Sequence, residues 1–412
     1  MHARACWALQ LWDFGGQDIY HSTHTLFLKS RGLFLIAWTP EMERADTHEY
    51  EGQTFRNHPL PYWLSQVGEF AGYDAPVVLV QAPADKLGDE EDLSPAAKKK
   101  LNAFKTGLAI SYSAKRPRNH ERLIDAITEG YEALDKPLIG KVRAAVKREL
   151  EDRRMKRSQK TMAMSDFYDL CVEEVGITDP DLFLDFLHHC GTVFYRKGLF
   201  KNEIIIDQGW DIDAIYSVFD CDSDTYRRIV GGRGRFTPLD LGLLLWNDHF
   251  SEEEQAVFLT MMQSCGICFV HKPVSEGVES EYIAPDLLPE ALPSSDMRER
   301  PDDPERLERQ YTSLPSALIR NIICALGGKA GQQGDYWRTG LRVHESRFRS
   351  WGVVYTDPGP GGGGRVVISC YGGDAPGLLK ELFAIVDSEE ARLGLTLKTD
   401  ASDCPEFCAL EP

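Results

Sequence analysis

Apolar positions in the first 140 residues fall into short continuous runs separated by longer stripes. Gly32–Thr39 (GLFLIAWT), Ala75–Gln81 (APVVLVQ) and Leu108–Tyr112 are runs of strand length, and Trp7–Trp12 is a fourth. Runs without polar alternation fit strands buried on both faces. Between them, Leu60–Ala71, Ser94–Phe104 and Asn119–Leu134 carry helical spacing. Ser94–Pro95 is an N-terminal helix signal, and Leu123, Ile124, Ile127 and Tyr131 form one apolar stripe. Strands separated by helix-length segments predict a parallel sheet with helices on its faces.

The pattern then changes. Lys141–Lys160 holds nine Lys/Arg against Glu149, Glu151 and Asp152. It reads as a solvated connecting helix running into a linker, or as a docking face for the acidic remainder of the protein or for a partner. From Ser165 the spacing predicts helices at Ser165–Glu174 and Pro180–Cys190, then a small hairpin from Val193–Arg196 and Glu203–Asp207. Further helices are predicted at Trp210–Phe219, Pro238–Trp246 and Ser251–Ser264, the last opened by the capping box Ser251-Glu-Glu-Glu254. Strands at Ile267–His271 and Glu281–Ala284 complete a block of winged-helix-like character. Pro285–Pro304 is rich in Pro, Ser and charge and reads as a linker. A helix at Pro315–Leu326, strands at Leu341–Glu345, Gly352–Tyr355 and Arg365–Tyr371, and a helix at Pro376–Leu393 predict a final α+β domain. The expected division is 1–137, 138–160, 161–290, 291–310, 311–398 and a tail 399–412.

Composition narrows the function classes. The chain has 412 residues, 42% hydrophobic and 27% charged, with a formal net charge of −18. An acidic chain is a poor match for a phosphate backbone, so nucleic acid is not expected as a partner, and Ser165–Asp185 of the winged-helix-like block is itself acidic. No apolar run reaches the ~18–20 residues of a membrane helix, and Met1–Gln10 lacks a signal-peptide core. Ten scattered cysteines then read as reduced thiols of a cytoplasmic protein.

Chemistry concentrates at three predicted strand ends. Trp12-Asp13-Phe14-Gly15-Gly16-Gln17 closes the first strand with Asp-x-x-Gly-Gln, the switch II pattern of Ras-like GTPases. In that pattern the Asp holds Mg²⁺ through water, the Gly amide reaches the γ-phosphate and the Gln orients the attacking water. The strand ending at Gln81 leads into Ala82-Pro83-Ala84-Asp85, where Ras-like proteins place a guanine-reading Asp. Leu108–Tyr112 leads into Ser113-Ala114-Lys115, a Ser-Ala-Lys loop of the kind that packs on guanine. Ligands of open α/β sheets bind beyond such carboxyl ends. Asp13-Phe14-Gly15 also matches a kinase tripeptide, but the accompanying H-R-D and A-P-E motifs do not occur.

The segments LQLWDFGGQDIYHSTHTLFLKSRGLFLIAWT and THEYEGQTFRNHPLPYWL strongly resemble the Roc (Ras of complex proteins) domain of bacterial Roco proteins. DFLHHCGTVFYRKGLFKNEIIIDQGWDIDAIYSVFD, the GRFTP at Gly234, and MMQSCGICFVHKP with EYIAPDLLPE resemble its companion, the COR domain. The resemblance spans roughly residues 5–395. It implies a partial Ras-like P-loop-NTPase-type sheet followed by an α+β COR domain. It also implies GTP/GDP and Mg²⁺ as ligands of an intact parent, a homodimer formed through COR, and leucine-rich repeats beside the module. The roles it implies are Asp13 for metal, Gly16 for γ-phosphate and Gln17 for catalytic water. Asp85, Ser113, Ala114 and Lys115 would read guanine.

Departures qualify this. No G-x-x-x-x-G-K-[ST] occurs, and the glycine string Gly359–Gly364 lacks the Lys and hydroxyl and lies in the last domain. In a Ras-like fold the P-loop, switch I and two strands precede the Asp13 position, so the reading expects an N-terminally incomplete Roc without tight nucleotide binding. Ala82-Pro83 also replaces the Asn-Lys of the guanine motif. A non-enzymatic dimerising scaffold with a vestigial site is the other reading. Cys265/Cys268 with Cys404/Cys408 have the composition of a zinc site, but a buried strand start explains the first pair. His188-His189-Cys190 fits a helix end, and His21 and His24 follow the switch-like Gln.

Overall fold

A computed structural model describes residues 11, 13–14, 31–50, 53–116, 118–134, 139–173, 177–195, 203–275, 279–291, 304–312, 314–330, 334–359, 363–393 and 395. The strand expected at Trp7–Trp12 lies outside the described residues apart from Leu11. The chain forms two compact units, Met1–Pro289 and Glu290–Pro412.

The first unit opens with β1 (Phe34–Trp38), α1 (Pro40–Arg44), the hairpin β2 (Thr47–Tyr50) and β3 (Gln53–Arg56), and α2 (Leu60–Phe70). Next come β4 (Val77–Gln81), α3 (Pro95–Leu101), β5 (Gly107–Ser111) and α4 (His120–Ala133). β1, β4 and β5 form a parallel sheet in the order β1-β4-β5. β4 is central and buried at every position, which is why its sequence shows no alternation. One face packs on Leu60, Leu64, Val67, Ala97, Leu101 and Phe104, and the other on Ala126 and Leu123. Ser94 caps α3 by accepting from the Ala97 N–H at 3.2 Å.

The chain continues through α5 (Lys141–Arg157), β6 (Thr161–Ala163), α6 (Met164–Glu173), α7 (Pro180–His189), β7 (Glu203–Ile205) and α8 (Gln208–Tyr216). The basic stretch is indeed helical. It buries only Val146 and Leu150 and ties its charges into i,i+4 pairs such as Arg153–Glu149 at 2.8 Å. The hairpin expected from Val193–Arg196 and Glu203–Asp207 is reduced to one bridge, Phe194 to Ile205. β7 pairs instead with β6, antiparallel. Three residues are too short for periodicity to reveal, so the partner was not legible.

After α8 come α9 (Asp224–Gly231), β8 (Arg235–Phe236), α10 (Pro238–Leu241) running into a π turn (Gly242–Trp246), α11 (Glu252–Ser264), β9 (Phe269–Lys272) and β10 (Glu281–Ile283). The Ser251/Glu254 capping box is formed. β8, β10 and β9 make a small antiparallel sheet in the order β8-β10-β9.

The second unit holds β11 (Glu305–Tyr311), α12 (Ser316–Ala330), β12 (Asp335–Trp337), β13 (Gly340–Glu345), β14 (Ser350–Pro358), β15 (Gly364–Gly372) and α13 (Ala375–Leu393). Its sheet is antiparallel, in the order β11-β15-β14-β13-β12. Residues 305–310, expected as linker, are an edge strand. Its charges hid it, because Arg309 points to the helix layer and pairs there with Asp387 and the buried Glu390. The fold class is therefore α/β followed by α+β.

Candidate functional site

The carboxyl ends of β4 and β5 lie side by side, with Gln81 opposite Ser111. Beyond them the two loops are stitched together. The Tyr112 N–H donates to the Gln81 carbonyl at 2.9 Å, and the Ala84 N–H donates to the Tyr112 carbonyl at 2.9 Å. The Ser113 hydroxyl donates to the Asp85 carboxylate. Ser113 is fully buried, and its Oγ also accepts from the Arg116 N–H at 3.1 Å, which closes the exposed turn through Ala114 and Lys115. Four of the residues singled out by sequence thus meet at one place.

The support beneath them was not anticipated. Gln81 ends an otherwise apolar strand and is 3% exposed. Its amide donates to the Asp89 carbonyl at 2.6 Å, and its carbonyl accepts from the Glu91 N–H at 3.0 Å, so one side chain holds the loop after Asp85. Arg118 reaches the Lys86 carbonyl and the Glu90 carboxylate from the other loop. The Gly88 N–H, which donates to the Glu90 carboxylate at 3.0 Å, and to a lesser degree Arg118 hold that carboxyl below its usual range. Asn119, in the left-handed region at φ 60°, donates to the Ser111 carbonyl at 2.9 Å. The sequence signal was present: a lone polar residue closing a VVLV run must find buried partners.

The phosphate side differs. Asp13 is exposed, and Gly16 and Gln17 lie outside the described residues, as do His21 and His24. Phe14, next to Asp13, packs against the core cluster formed by residues 194–287. Phe55 of β3 belongs to that cluster at 2% exposure. Among the described residues no group of three or more His, Cys, Asp or Glu side chains is placed to hold a metal ion. The described residues thus gather polar side chains of both loops at the ends of β4 and β5, while most of the segment around Asp13 lies outside the described residues. Cys265 and Cys268 are buried in the same cluster, while Cys404 and Cys408 lie outside the described residues. His189 bonds to the Asp185 carbonyl at 2.6 Å, and His188 stacks edge-on to Phe194. No described helix is long and apolar enough to cross a membrane.

Comparison with known proteins shows what the chain is similar to. Residues 2–85 match the family model "Ras of Complex, Roc, domain of DAPkinase", and residues 142–288 match "C-terminal of Roc, COR-A domain". The chain belongs to the Roco family as a Roc–COR protein of bacterial type. This Roc–COR chain is 24% identical over 369 residues to a Roc-COR-CHAT protease of an unknown prokaryotic organism, covering 85% of this chain and 32% of that protein. It is 22% identical over 362 residues to a Roc-COR-CHAT protease of Runella zeae, covering 85% and 36%. The probable serine/threonine-protein kinase roco5 of Dictyostelium discoideum is 25% identical over 213 residues, covering 48% and 7%. The Roc–COR chain thus spans only 7% to 36% of the length of these relatives. Among solved structures, Methanosarcina barkeri Roco2 RocCORdC bound to GDP is 21% identical with a TM-score of 0.49. It covers 67% of this chain and 79% of that one.

Proposed function

We propose that this Roc–COR module carries the guanine-recognising side of a Ras-like switch and passes its state to COR-A. The observation that carries the reading is the Asp85–Ser113 pair at the adjoining ends of β4 and β5. With Ser113 occupying one carboxylate oxygen, the other is free to accept from the base edge, while Ala114 and Lys115 form the loop beside it. GTP or GDP bound with Mg²⁺ would supply the hydrolysable phosphate. Asp13, Gly16 and Gln17 are the residues proposed for metal, γ-phosphate and water. Phe14 and Phe55 give the route out, since both reach the COR-A core. The second unit is proposed as the C-terminal half of COR, with helices over one face of its sheet, and COR as the homodimerising part.

Phosphate binding is the weak side. The P-loop sequence does not occur in these 412 residues, and its amide nest and Lys supply much of the phosphate affinity. A titration of this chain with a fluorescent GDP analogue in Mg²⁺ is expected to show no saturation up to high micromolar. Micromolar binding lost in Asp85→Ala and Asp13→Ala would mean that another segment replaces the P-loop, and the weak-binding reading would fail. Ala82-Pro83 at the Asn-Lys positions favours a second reading, a dimerising scaffold with a vestigial site. In that case Asp85→Ala would leave every property of the chain unchanged except local stability.

A further inference from the structure

Gln81 is the one polar residue of β4, and it is buried at the end of that strand. Val77 and Leu79 pack on the α2 and α3 face of the sheet, so strand alternation carries the Gln81 side chain to the same face. Leu93, at the far end of the loop that leads from Asp85 into α3, packs there too. The Gln81 amide group meets this loop from inside the fold. It donates to the Asp89 carbonyl at 2.6 Å and accepts from the Glu91 N–H at 3.0 Å. Both of its polar ends are thus used on main-chain atoms of one loop.

Asp85 depends on such a brace. Ala82 and Pro83, which join β4 to its loop, have no hydrogen-bonding side chain. Ser113 holds the Asp85 carboxylate from the neighbouring loop. The next turn is closed by the Lys86 N–H on the Asp89 carboxylate at 2.8 Å, and Asp89 is the residue whose carbonyl Gln81 takes. Residues 86–92 are exposed, so ordering them is entropically unfavourable, and the buried amide offsets that cost before a ligand arrives. Arg118 adds a hold at the Lys86 carbonyl and the Glu90 carboxylate, but that ion pair is within reach of solvent and weaker for it.

We infer that Gln81 is the positioning residue of the base-reading loop: by gripping Asp89 and Glu91 from inside the fold it sets the place of the Asp85 carboxylate, and with it the preference for guanine over adenine. That role rests on the guanine-recognising site proposed above and names what gives the site its selectivity. Guanine presents N–H donors on the edge where adenine presents a ring lone pair. A carboxylate held in one place accepts from the first and repels the second. A carboxylate on a loose loop swings away from the lone pair, and discrimination falls even where contact with the Ala114–Lys115 turn remains.

The test titrates the full chain with 5′-GMP and with 5′-AMP at millimolar concentration, followed by the amide resonances of Ala114 and Lys115. The wild type is expected to prefer GMP about tenfold, the discrimination that one hydrogen-bonded base edge supplies. Gln81→Met keeps the side-chain volume and removes both hydrogen bonds, and is expected to reduce the preference to about twofold or less. Val78→Ala, which loosens Roc from the opposite, α4 face of the sheet, is expected to keep the preference, so lower stability alone does not account for the change. A wild type with no preference, or with one that survives Asp85→Ala, overturns both the base-reading proposal and the role of Gln81. A preference lost in Asp85→Ala and kept in Gln81→Met leaves the base-reading proposal standing and overturns the role of Gln81. If Gln81→Met does not fold, Gln81→Glu decides on the same ratio, because its ionised carboxylate still accepts from the Glu91 N–H and cannot donate to the Asp89 carbonyl.

Discussion

At the residue scale the unusual groups are buried polar ones. Asp211 in the first turn of α8 is 1% exposed, and neither carboxyl oxygen meets a partner of good geometry. Burial raises its pKa well above 3.8, the N–H groups of its own turn offset this only partly, and Asp207 and Asp213 push it further. A carboxyl with a raised folded pKa contributes its stability below the unfolded value and loses it as pH rises through the folded one. Asp211→Asn is therefore expected to be more stable than wild type by about 1–3 kcal/mol near neutral pH. The gain should shrink toward pH 4, read from melting curves at several pH values. His58 has the opposite sign. Burial, and then Arg56, lower its pKa from 6.5 to about 4, while its ring stacks on Tyr62 at 4.1 Å. Its neutral form contributes stability above pH 6.5 that is lost as pH falls toward 4, at most about 3 kcal/mol. His58→Phe keeps the stacking and should flatten Roc unfolding over that range. Asp85, Ser113, Ala114 and Lys115 could be picked out from the sequence because loop chemistry is local. Gln81 and Arg118 could not be assigned, because their partners, Asp89, Glu91, Lys86 and Glu90, are fixed only when two loops meet.

At the element scale, signals written in a few adjacent residues are reliable. Ser251 and Glu254 form the reciprocal cap that their spacing predicts. Ser251→Ala is expected to cost about 1 kcal/mol, measured by denaturant unfolding. Gly107 shows the other kind of constraint. A Cβ there would stand 2.6 Å from the Leu101 carbonyl oxygen, a backbone atom that cannot swing aside. Gly107→Ala should therefore displace the end of α3 from β5 and destabilise Roc by about 1–3 kcal/mol, against little effect at Gly32, where nothing lies within 4 Å. The short strands missed by the periodicity share a cause. The hairpin β2–β3 has only four residues per strand, β6 and β12 have three each, and β8 has two. Such lengths carry at most two cycles of a two-residue period, too few to stand out. The seven-residue β11 was hidden differently, by charges that are satisfied across the fold rather than by solvent.

At the scale of the whole molecule, Roc and COR-A share one core. Phe55 comes from a Roc hairpin but is buried among Phe194, Trp210, Phe258 and their neighbours, and Phe14 packs on the same cluster. Phe55→Ala is expected to cost about 3–5 kcal/mol. It should also raise amide exchange in α8 and α11, far along the chain; exchange confined to the β2–β3 hairpin would show that the shared core does not couple the two domains. The sequence by itself determined the parallel β-α order of Roc, the capped helices of COR-A, and the strand-end residues proposed to read a base, because each depends on neighbours within a few positions. Only the tertiary structure decided that Phe14 and Phe55 leave Roc for the COR-A core, that β7 pairs with β6, and that a π turn leaves Trp246 buried. Those outcomes depend on which surfaces meet after the chain has closed on itself, and packing between distant segments leaves no periodic mark in the sequence.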